Sequence, residues 1–427
     1  YGMGDAGESE NTTHQVKKLD LDDLKHFRDR FDIPLSDSEL ESVPYYRPAS
    51  DSPEMVYMLK QREKLGGPIP SRIAALPGFD IPPMEYLENL LKGGGDRKFS
   101  TTMGFVRILS TLLRDESIGK RIVPIVPDEA RTFGMEGMFR QLGIYSAKGQ
   151  LYEPEDSDQL MYYREDKKGQ VLQEGITEAG AMSSWIAAAT AYANHGKAMI
   201  PFYIFYSMFG LQRIGDLAWA AGDIQARGFL IGGTAGRTTL AGEGLQHQDG
   251  HSLLLASAIP NCVSYDPAYG YELAVIIHDG LRRMFSDREN IYYYITVMNE
   301  NYAHPAIPEE TETGILKGMY RIRTAHRGRK ATPRVQLLGS GSILRESLAA
   351  ADLLEEDFGV QADVWSVTSM NELSREGRDV ERWNMLHPEE EQKRSYVEQC
   401  LADEKGPVVA ATDYVNSYAE QIRAFIP

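Results

Sequence analysis

Short apolar segments alternate with helical segments between residues 100 and 300, and this alternation restricts the fold more than any other feature of the sequence. Such an alternation is typical of a parallel sheet that helices cover on both faces. The segments expected to form strands are RIVPIVPDE (121–129), MIPFYIFY (199–206), GFLIGGT (228–234), CVSYDP (262–267) and IYYYITVMN (291–299). The segments expected to form helices are 102–114, 178–193, 216–221, 252–258 and 270–285. The predicted fold class is therefore α/β, with a doubly wound parallel sheet.

A second α/β unit follows the basic segment Arg323–Lys330. Its predicted elements are the strand VQLLG (335–339), the helix ILRESLAAADLLEEDFG (343–359), the strands ADVWSVT (362–368) and PVVAATD (407–413), and a last helix. Ahead of both units, residues 19–31 have the aspartate cap and apolar spacing of an amphipathic helix. Residues 34–98 are rich in proline and glycine and predict an extended connecting segment with brief helices. These changes of pattern predict three parts, residues 1–98, 99–325 and 326–427.

The composition excludes several classes of function. The formal net charge of −17, from 62 Asp and Glu against 45 Lys and Arg, would repel nucleic acid and anionic lipid. The longest apolar runs are shorter than the ~20 residues that a membrane span needs, and no signal peptide is visible. Cys262 and Cys400 form no metal-binding or disulfide pattern, which is typical of a reducing compartment. We therefore expect a cytoplasmic protein that binds neither nucleic acid nor membrane.

Polar residues that follow the predicted strands are the first candidates for a functional site. Open α/β sheets bind ligands at the carboxyl ends of their strands. Four strand ends carry such residues: Asp128–Glu129, Tyr206–Phe209, Thr234–Thr239 and Asn299–Glu300. We expect a ligand site where these ends meet.

Glu178, in QEGITEAGAMSSW (173–185), opens a helix of small residues. Backbone N–H groups at a helix start lower the pKa of a nearby carboxylate, whereas burial raises it. The residues alone leave two interpretations open. The pattern favours a helix-capping glutamate, and the alternative is a buried acid that hydrogen-bonds a ring nitrogen of a ligand.

Histidines are concentrated in TTLAGEGLQHQDGHSLLLA (238–256). His247 and His251 are four residues apart, and Glu243 and Asp249 lie close to them in the sequence. This pattern fits a metal site, a proton-transfer site or a polar loop, because H-x-x-x-H puts two imidazoles on one helical face with or without a metal. The lack of a third ligand at a suitable spacing disfavours a metal.

The motif GITEAG (175–180), which opens a helix of small residues after a strand, resembles a motif of the pyrimidine-binding half of thiamine diphosphate enzymes of the transketolase group. Longer stretches resemble the homodimeric bacterial pyruvate dehydrogenases, the decarboxylating first components of the pyruvate dehydrogenase complex. These stretches are HQVKKLDLDDLKHFRDRF, VPDEARTFGMEGMFRQLGIY, YYREDKKGQVLQEGITEAGA, PFYIFYSMFGLQRIGDL, ARGFLIGGTAGRTTLAGEGLQHQDGHS, SYDPAYGYELAVIIHDGL, YYYIT, QLLGSGSIL and ERWNMLHP. The resemblance extends over nearly the whole chain. It implies a thiamine-diphosphate-binding fold for the pyrimidine domain, followed by a transketolase carboxyl-terminal-like α/β domain.

The resemblance implies a role for each residue that matches a family position. Glu178 matches the glutamate that exchanges a proton with the aminopyrimidine ring of thiamine diphosphate. Phe209 matches the aromatic residue that stacks on that ring, and Tyr206 lines the same pocket. Asp128 and Glu129 match an acidic pair at the site, although the pattern alone fits a capping pair equally well.

For the histidine-rich segment, the resemblance favours proton transfer. His247 matches an active-site histidine that faces the pyruvate-derived adduct, where an imidazole can hydrogen-bond developing negative charge or move a proton. Glu243 matches a nearby carboxylate. Asp249 and His251 are expected to orient neighbouring groups or to begin a helix.

His14, in ENTTHQVKKL (10–19), matches a histidine on a loop that closes over the cofactor and meets the lipoyl group of the acyltransferase partner. Lys17 belongs to the same loop. The pattern alone would indicate a solvent-facing polar segment. The other histidines are expected to be structural or at the surface: His26, His195, His278, His304, His326 and His387.

The sequence departs from the family pattern at the diphosphate end of the cofactor. The family holds the diphosphate through Mg²⁺ bound by a GDG motif and a later asparagine, and GDG occurs nowhere in this sequence. Relatives also continue beyond the last residues present here. We therefore expect the carboxyl-terminal part of the enzyme, with a truncated last domain and no metal ligands of its own. Because the family binds its cofactor between two subunits, a homodimer is expected.

The resemblance implies thiamine diphosphate-dependent oxidative decarboxylation of pyruvate, with transfer of the acetyl group to a lipoyl group of the dihydrolipoyl acyltransferase core. Two alternatives remain open. A transketolase-like ketol transferase would share the fold and Glu178 but would need basic residues for sugar phosphates; the tetrapeptide DEAR (128–131) and His14 favour the dehydrogenase. The missing diphosphate motif suggests a catalytically silent regulatory or interaction subunit as the other alternative.

Overall fold

The structure is a computed structural model that describes most of the 427 residues. The described residues are 7–11, 13–15, 18–67, 78–127, 130–155, 163–240, 244–325 and 332–427, with the side chain of His14 excepted. The chain forms one unit up to Arg72 and a second, larger unit from Ile73 onward.

The described residues of the first unit contain three helices. They are α1 (Leu21–Arg30), α2 (Asp37–Leu40) and α3 (Pro53–Lys64). Asp20 accepts the N–H of Asp23 at 2.8 Å, and the Asp23 carboxylate accepts the N–H of Asp20 at 3.3 Å. This capping box confirms the predicted start of the first helix. The predicted extended segment contains α3, which has 12 residues but buries none of them, so no burial pattern marked it in the sequence.

The second unit begins with a large sheet and the helices around it. The strands of this unit up to residue 303 are β1 (Lys98–Phe99), β2 (Ile122–Val126), β3 (Ile144–Tyr145), β4 (Glu165–Asp166), β5 (Leu172–Gln173), β6 (Ile200–Tyr206), β7 (Phe229–Gly233), β8 (Cys262–Tyr265), β9 (Tyr292–Thr296) and β10 (Tyr302–Ala303). Among them, β1 pairs with β10 and β3 pairs with β4 in two small separate sheets. The helices are α4 (Glu88–Leu91), α5 (Thr101–Leu112), α6 (Glu136–Leu142), α7 (Glu178–Ala189), α8 (Ala191–His195), α9 (Gly210–Asp223), α10 (Ser252–Ser257) and α11 (Gly270–Leu281). All the predicted elements are present, although the predicted helix 178–193 is divided at Thr190.

The larger sheet has the strand order β5-β2-β6-β7-β9-β8 in the described residues, and every neighbouring pair is parallel. The chain leaves β2 towards β5 on one side, whereas it leaves β6 towards β7 on the other side. Neighbouring strands whose connections diverge in this way open a crevice at their carboxyl ends, where open α/β sheets bind ligands. The topology therefore predicts a ligand site between the ends of β2 and β6.

Helices cover the larger sheet on both faces. Every residue of β7 and of β9 is buried. The buried Trp185 of α7 donates its indole N–H to the carbonyl oxygen of Phe229 at 3.0 Å, which fixes that helix on the sheet. Burial on both faces explains why these strands are continuous apolar runs without alternation. The predicted doubly wound parallel sheet is confirmed.

A smaller, mixed sheet follows. Its strands are β11 (Met319–Arg323), β12 (Arg334–Gly339), β13 (Gln361–Val367) and β14 (Val408–Ala411), in the order β11-β13-β12-β14 among the described residues. Strand β12 is parallel to β13 and to β14, whereas β11 is antiparallel to β13. The accompanying helices are α12 (Glu312–Lys317), α13 (Ile343–Phe358), α14 (Met370–Leu386), α15 (Tyr396–Leu401) and α16 (Asn416–Glu420). The predicted division into residues 1–98, 99–325 and 326–427 stays a prediction.

A buried carboxylate joins the two sheets. Glu272, in the first turn of α11, is completely buried and accepts the N–H groups of Ala268 at 2.6 Å and of Tyr269 at 3.0 Å. It also accepts the hydroxyl groups of Tyr320 on β11 and of Ser366 on β13, each at 2.6 Å. One side chain therefore ties a helix of the larger sheet to two strands of the smaller sheet.

Among the described residues, no helix is both long enough and apolar enough to cross a membrane.

Candidate active site

Three half-buried rings lie together at the carboxyl end of β6. Tyr206 ends the strand, Phe209 immediately precedes α9, and His247 ends a short 3₁₀ turn in the loop that follows β7. The His247 ring centroid is 5.2 Å from that of Tyr206 and 5.5 Å from that of Phe209. The two aromatic centroids are 5.9 Å apart. The structure therefore brings three of the predicted site residues into one cluster, which we call the ring cluster.

The end of β2 contributes to the same crevice. The buried Phe133 ring is 5.2 Å from the Tyr206 ring, and the Tyr206 hydroxyl donates to Thr132 Oγ1 at 3.4 Å. Asn299, which follows β9, donates from Nδ2 to the Thr132 carbonyl oxygen at 3.0 Å. Gly233 makes room for this packing, because a Cβ there would lie 2.5 Å from Cε1 of Phe133. The ring cluster thus lies between the ends of β2 and β6, where the topology predicts a site.

Glu178 is the first residue of α7, but it does not cap that helix. The N-cap residue is Thr177, whose Oγ1 accepts the N–H of Gly180 at 3.3 Å. The Glu178 carboxylate instead accepts a hydrogen bond from the Arg213 guanidinium at 2.5 Å, and 15% of the Glu178 side chain is exposed. The capping interpretation, which the pattern favoured, is therefore wrong.

Arg213 connects Glu178 to the ring cluster. Its guanidinium carbon is 4.5 Å from the centroid of Phe209, and the same guanidinium binds Glu178. Half of the Arg213 side chain is exposed, and an exposed ion pair of this kind opens at small cost. No sequence pattern marks Arg213 as a site residue, because an arginine within GLQRIGDL (210–217) has the spacing of a solvent-facing helix residue.

Asp249 and His251 begin helix α10, as predicted. Asp249 is completely buried and accepts the N–H groups of His251 at 3.0 Å and of Ser252 at 2.9 Å. It also accepts the hydroxyl of Ser252 at 2.5 Å. His251 is the N-cap residue, and its Nδ1 is 4.0 Å from Asp249 Oδ1. The start of α10 therefore supplies three donors to the Asp249 carboxylate.

Several predicted site residues lie outside the described residues. They are Lys17, Asp128, Glu129, Glu243 and the side chain of His14. The backbone of Thr13–Gln15 forms a 3₁₀ turn in the first unit. The catalytic and binding roles of all the predicted site residues, including those in the ring cluster, stay predictions.

His304 is a structural histidine, as predicted. Its ring is stacked between Phe99 and Tyr302, at centroid distances of 3.8 and 4.7 Å, and its Nδ1 accepts the N–H of Gly270 at 2.9 Å. Burial lowers the pKa of His304 to about 4, so the ring is neutral near pH 7. Of the others, His26 and His195 are exposed, His278 and His387 bind backbone carbonyl oxygens, and His326 lies outside the described residues.

Within the described ranges, no group of three or more His, Cys, Asp or Glu side chains is positioned to hold a metal ion. His247 and His251 are both described, and neither belongs to such a group. The expectation that this chain has no metal ligands of its own stays a prediction, because Asp128, Glu129 and Glu243 are not described.

The arrangement suits a flat heterocycle with a basic nitrogen. The ring cluster offers aromatic faces for stacking. Glu178 offers a carboxylate whose cationic partner is exposed, and the imidazole of His247 can donate or accept a hydrogen bond.

Comparisons with known proteins assign the chain to a family. Residues 83–305 match the family described as "Pyruvate dehydrogenase E1 component middle domain", and residues 318–425 match "Transketolase-like TK C-terminal domain". The pyruvate dehydrogenase E1 component of Pseudomonas aeruginosa is 63% identical over 427 residues, which are 100% of this chain and 48% of that protein. That of Escherichia coli K12 is 56% identical over 432 residues, with the same two shares. The chain spans about half the length of the curated relatives it matches.

Among solved structures, transketolase from Campylobacter jejuni covers 95% of this chain with a TM-score of 0.57 at 16% sequence identity, and 53% of that structure is matched. Transketolase from Leishmania mexicana covers 79% of this chain with a TM-score of 0.55 at 16% identity, over 41% of that structure. These likenesses concern the fold alone, which is the predicted transketolase-like α/β fold. The sequence matches are more specific, since they extend over the whole chain. This chain therefore belongs to the pyruvate dehydrogenase E1 component family.

Proposed function

We propose that this chain is the carboxyl-terminal part of a thiamine diphosphate-dependent pyruvate dehydrogenase (acetyl-transferring). The reaction removes CO₂ from pyruvate and transfers the remaining acetyl group to a lipoyl group of a dihydrolipoyl acyltransferase, whose disulfide is reduced. Family membership supports this proposal. In it, the chain supplies the pyrimidine-binding half of the active site.

The convergence of an acid and three rings at one crevice carries the proposal. Glu178 opens α7, after β5, whereas Phe209 and His247 follow β6 and β7. Arg213 contacts both the Glu178 carboxylate and the Phe209 ring, so these separate elements meet at one surface. That surface lies at the switch in strand connections, where a parallel sheet offers a ligand site.

The residues present fit the pyrimidine end of thiamine diphosphate. An aminopyrimidine has a flat face and a basic ring nitrogen, which need a stacking surface and a carboxyl partner. Phe209 and Tyr206 supply the stacking surface, and Glu178 supplies the carboxyl group. When bound, this cofactor supplies the nucleophilic carbon that adds to the 2-oxo group of pyruvate.

The side chains of this chain then bind, orient and move protons. Glu178 holds a proton at the ring nitrogen of the pyrimidine after its ion pair with Arg213 opens. His247 donates a hydrogen bond to the substrate oxygen on which negative charge develops, or moves a proton to it. Asp128, Glu129 and Glu243 are the acidic neighbours that the family resemblance implies for the same site.

The diphosphate and Mg²⁺ are held, in this proposal, by the amino-terminal half of the complete protein in the second subunit of a homodimer. The surface beside Glu178 supports a site completed by another chain. Ile176 is 71% exposed and Arg213 is half exposed, although both lie next to the proposed catalytic carboxylate. The proposed compartment is the cytoplasm, which the two free cysteines, Cys262 and Cys400, support.

Expression of the complete protein, with the amino-terminal half present, tests the proposed reaction. We expect decarboxylation of pyruvate with a dye as electron acceptor, dependent on thiamine diphosphate and Mg²⁺. Activity confined to sugar phosphates would indicate a ketol transferase, and no activity with either substrate would indicate a silent subunit. Either outcome would overturn the proposal.

The proposed lipoyl-transfer role of His14 is tested separately. In the complete protein, His14→Ala should leave dye-coupled decarboxylation nearly unchanged and should lower acetylation of a lipoyl domain by about 10²-fold, a typical loss for a missing proton donor. His26→Ala is the matched control, because His26 is an exposed histidine of the same unit. Equal loss of both activities in His14→Ala would mean that the loop has another role.

A further inference from the structure

One short segment of the smaller sheet's domain contacts both ends of the loop that carries His247. We call Asp413–Val415, between β14 and α16, the clamp segment. We call residues 234–250 the His247 loop; its described parts are 234–240 and 244–250. The two segments are more than 150 residues apart in the sequence, so their contact is made by the fold and not by the local chain.

The carboxylate of Asp413 holds the first end of the His247 loop. Its Oδ2 accepts the N–H of Arg237 at 2.7 Å and the N–H of Thr238 at 2.9 Å. The Thr238 hydroxyl donates to the same oxygen at 3.0 Å. Asp413 is 6% exposed, so these hydrogen bonds are largely shielded from water. Hydrogen bonds to an ionised acceptor are roughly twice as strong as those between neutral groups.

Further hydrogen bonds and a close backbone approach join the His247 loop to the clamp segment. Arg237 donates from Nε to the Asp413 carbonyl oxygen at 2.7 Å and from Nη2 to the Tyr414 carbonyl oxygen at 3.2 Å. Gly236 has φ +84°, and a Cβ there would lie 2.4 Å from Asp413 Oδ2. The Tyr414 hydroxyl donates to the buried Asp266 at 3.1 Å, which fixes the clamp segment on the end of β8.

The second end of the His247 loop is held by the same clamp segment. The N–H of Val415 donates to the Gly250 carbonyl oxygen at 2.9 Å. The N–H of Asp249 donates to the Gly236 carbonyl oxygen at 3.0 Å, which joins the two ends of the loop directly. His247 is three residues from Gly250 and two residues from Asp249. Its position at the ring cluster therefore depends on where the clamp segment lies.

We propose that Asp413 is a positioning residue for the active site: through the loop ends, the clamp segment keeps the His247 imidazole at the ring cluster. The inference rests on the proposed function for the identity of the reaction. A displacement of about 1 Å in a catalytic group can lower a rate by about 10²-fold. The domain of the smaller sheet thereby controls catalysis through the backbone of another domain.

Hydrogen–deuterium exchange of the complete protein tests the clamp without any measurement of activity. Asp413→Asn removes the charge that three donors face, and we expect exchange in peptides within 237–250 to rise by about tenfold or more. Asp363→Asn is the control: Asp363 is also buried, in the smaller sheet, and accepts the N–H of Ala325 at 2.9 Å. Unchanged exchange in Asp413→Asn, or an equal rise in the control, would overturn the proposal.

A second variant guards against a folding defect in Asp413→Asn. Val415→Pro deletes the N–H that binds Gly250, and the φ of −64° at Val415 is the angle that proline adopts. We expect faster exchange in the peptides of 244–250 with an unchanged far-ultraviolet circular dichroism spectrum. Unchanged exchange there would contradict a role for the second anchor.

Kinetics then test whether the clamp acts through His247. We expect Asp413→Asn to lower kcat for pyruvate decarboxylation by about ten- to a hundredfold with little change in KM, and to have a much smaller effect in a His247→Ala background. Losses that multiply in the double variant would overturn the proposal. A wild-type protein without this activity would overturn the proposed function, and the exchange measurement would still decide the clamp.

Discussion

Glu178 and Glu272 both lie in the first turn of a helix that follows a strand of the larger sheet, yet their carboxylates have opposite surroundings. Glu272 is completely buried and accepts hydrogen bonds from two backbone N–H groups and two hydroxyl groups. Glu178 is partly exposed and binds the half-exposed guanidinium of Arg213. The comparison teaches that a carboxylate is available for chemistry when its own chain leaves its acceptor positions open.

The position of each glutamate relative to its N-cap residue explains part of this difference. Thr177 caps α7 with its own hydroxyl, so the helix start does not need the Glu178 carboxylate. At α11 the N-cap residue is Tyr269, and its N–H is bound by the Glu272 carboxylate in a capping box. Glu272 is the third helical residue, from which a carboxylate reaches back to the N-cap N–H, whereas Glu178 is the first helical residue and leaves its helix start to Thr177.

Removing the carboxylate that is proposed to exchange a proton should give the largest effect and should concern activity alone. In the complete protein, Glu178→Gln should lower dye-coupled pyruvate decarboxylation by about 10²- to 10⁴-fold, because the amide cannot exchange a proton. The free energy of unfolding should change by less than about 1 kcal/mol, since the ion pair that is lost is exposed. Glu312→Gln is the control, because Glu312 is an exposed first residue of α12. Near-normal activity in Glu178→Gln would refute its assigned role.

The opposite result is expected at Glu272. Glu272→Ala leaves four buried donors without their acceptor, which should lower the free energy of unfolding by about 3–5 kcal/mol. The rate per folded molecule should change by about threefold or less, because Glu272 joins the two sheets and does not belong to the ring cluster. Urea denaturation and dye reduction on the same samples measure the two quantities. A stable but inactive variant would reverse the comparison.

Asp266 is an intermediate case, and the pH dependence of stability tests it. Burial, assisted by the nearby charge of Asp413, raises the pKa of Asp266 from 3.8 to about 6, although the hydroxyls of Thr296 and Tyr414 bind its carboxylate. Because the folded state holds this proton more tightly than the unfolded state, stability should fall as the pH rises from about 4 to about 6 and should be unaffected by this group above that range.

Asp266→Asn should remove this contribution to the pH dependence. The slope of unfolding free energy against pH between about 4 and about 6 should become less negative, by about 1–3 kcal/mol over the interval. Urea denaturation at several pH values in this range measures it. Identical slopes in the two proteins would show that Asp266 keeps its ordinary pKa.

The smallest effect is expected from the partner of Glu178. Arg213→Met should lower the decarboxylation rate by about three- to tenfold, because Glu178 loses the guanidinium that orients it beside Phe209. Stability should change by about 0.5 kcal/mol or less, as is usual for an exposed pair. Arg227→Met is the matched control, since that guanidinium also lies over a ring, 4.3 Å from the Tyr192 centroid. A loss as large as that of Glu178→Gln would mean that Arg213 itself takes part in the chemistry.

The fold was predictable where burial is double-sided. The strands β6, β7 and β9 are buried on both faces, so each is a continuous apolar run with turn residues at its ends. The 17-residue helix α14 was missed because its buried residues are confined to its first half. Most of its remaining residues are charged or polar, so no apolar run marks it in the sequence.

The site was predictable only in part. Tyr206, Phe209 and His247 follow strands or lie in the quoted family stretches, and the structure brings them together. Arg213 has the sequence spacing of an ordinary surface residue. The contact of Asp413 with Thr238 joins residues 175 positions apart, so no local pattern in the sequence could indicate it.

That long separation also determines when this contact can form during translation. A ribosome that adds about 5–20 residues per second reaches Asp413 roughly 10–35 s after Thr238. Until then the amide groups of Arg237 and Thr238 lack the carboxylate that holds them, even if the larger sheet has already formed around them. The His247 loop is therefore held only after Asp413 has been synthesised, and a translation product arrested before that residue would carry the larger sheet without the hydrogen bonds that hold this loop.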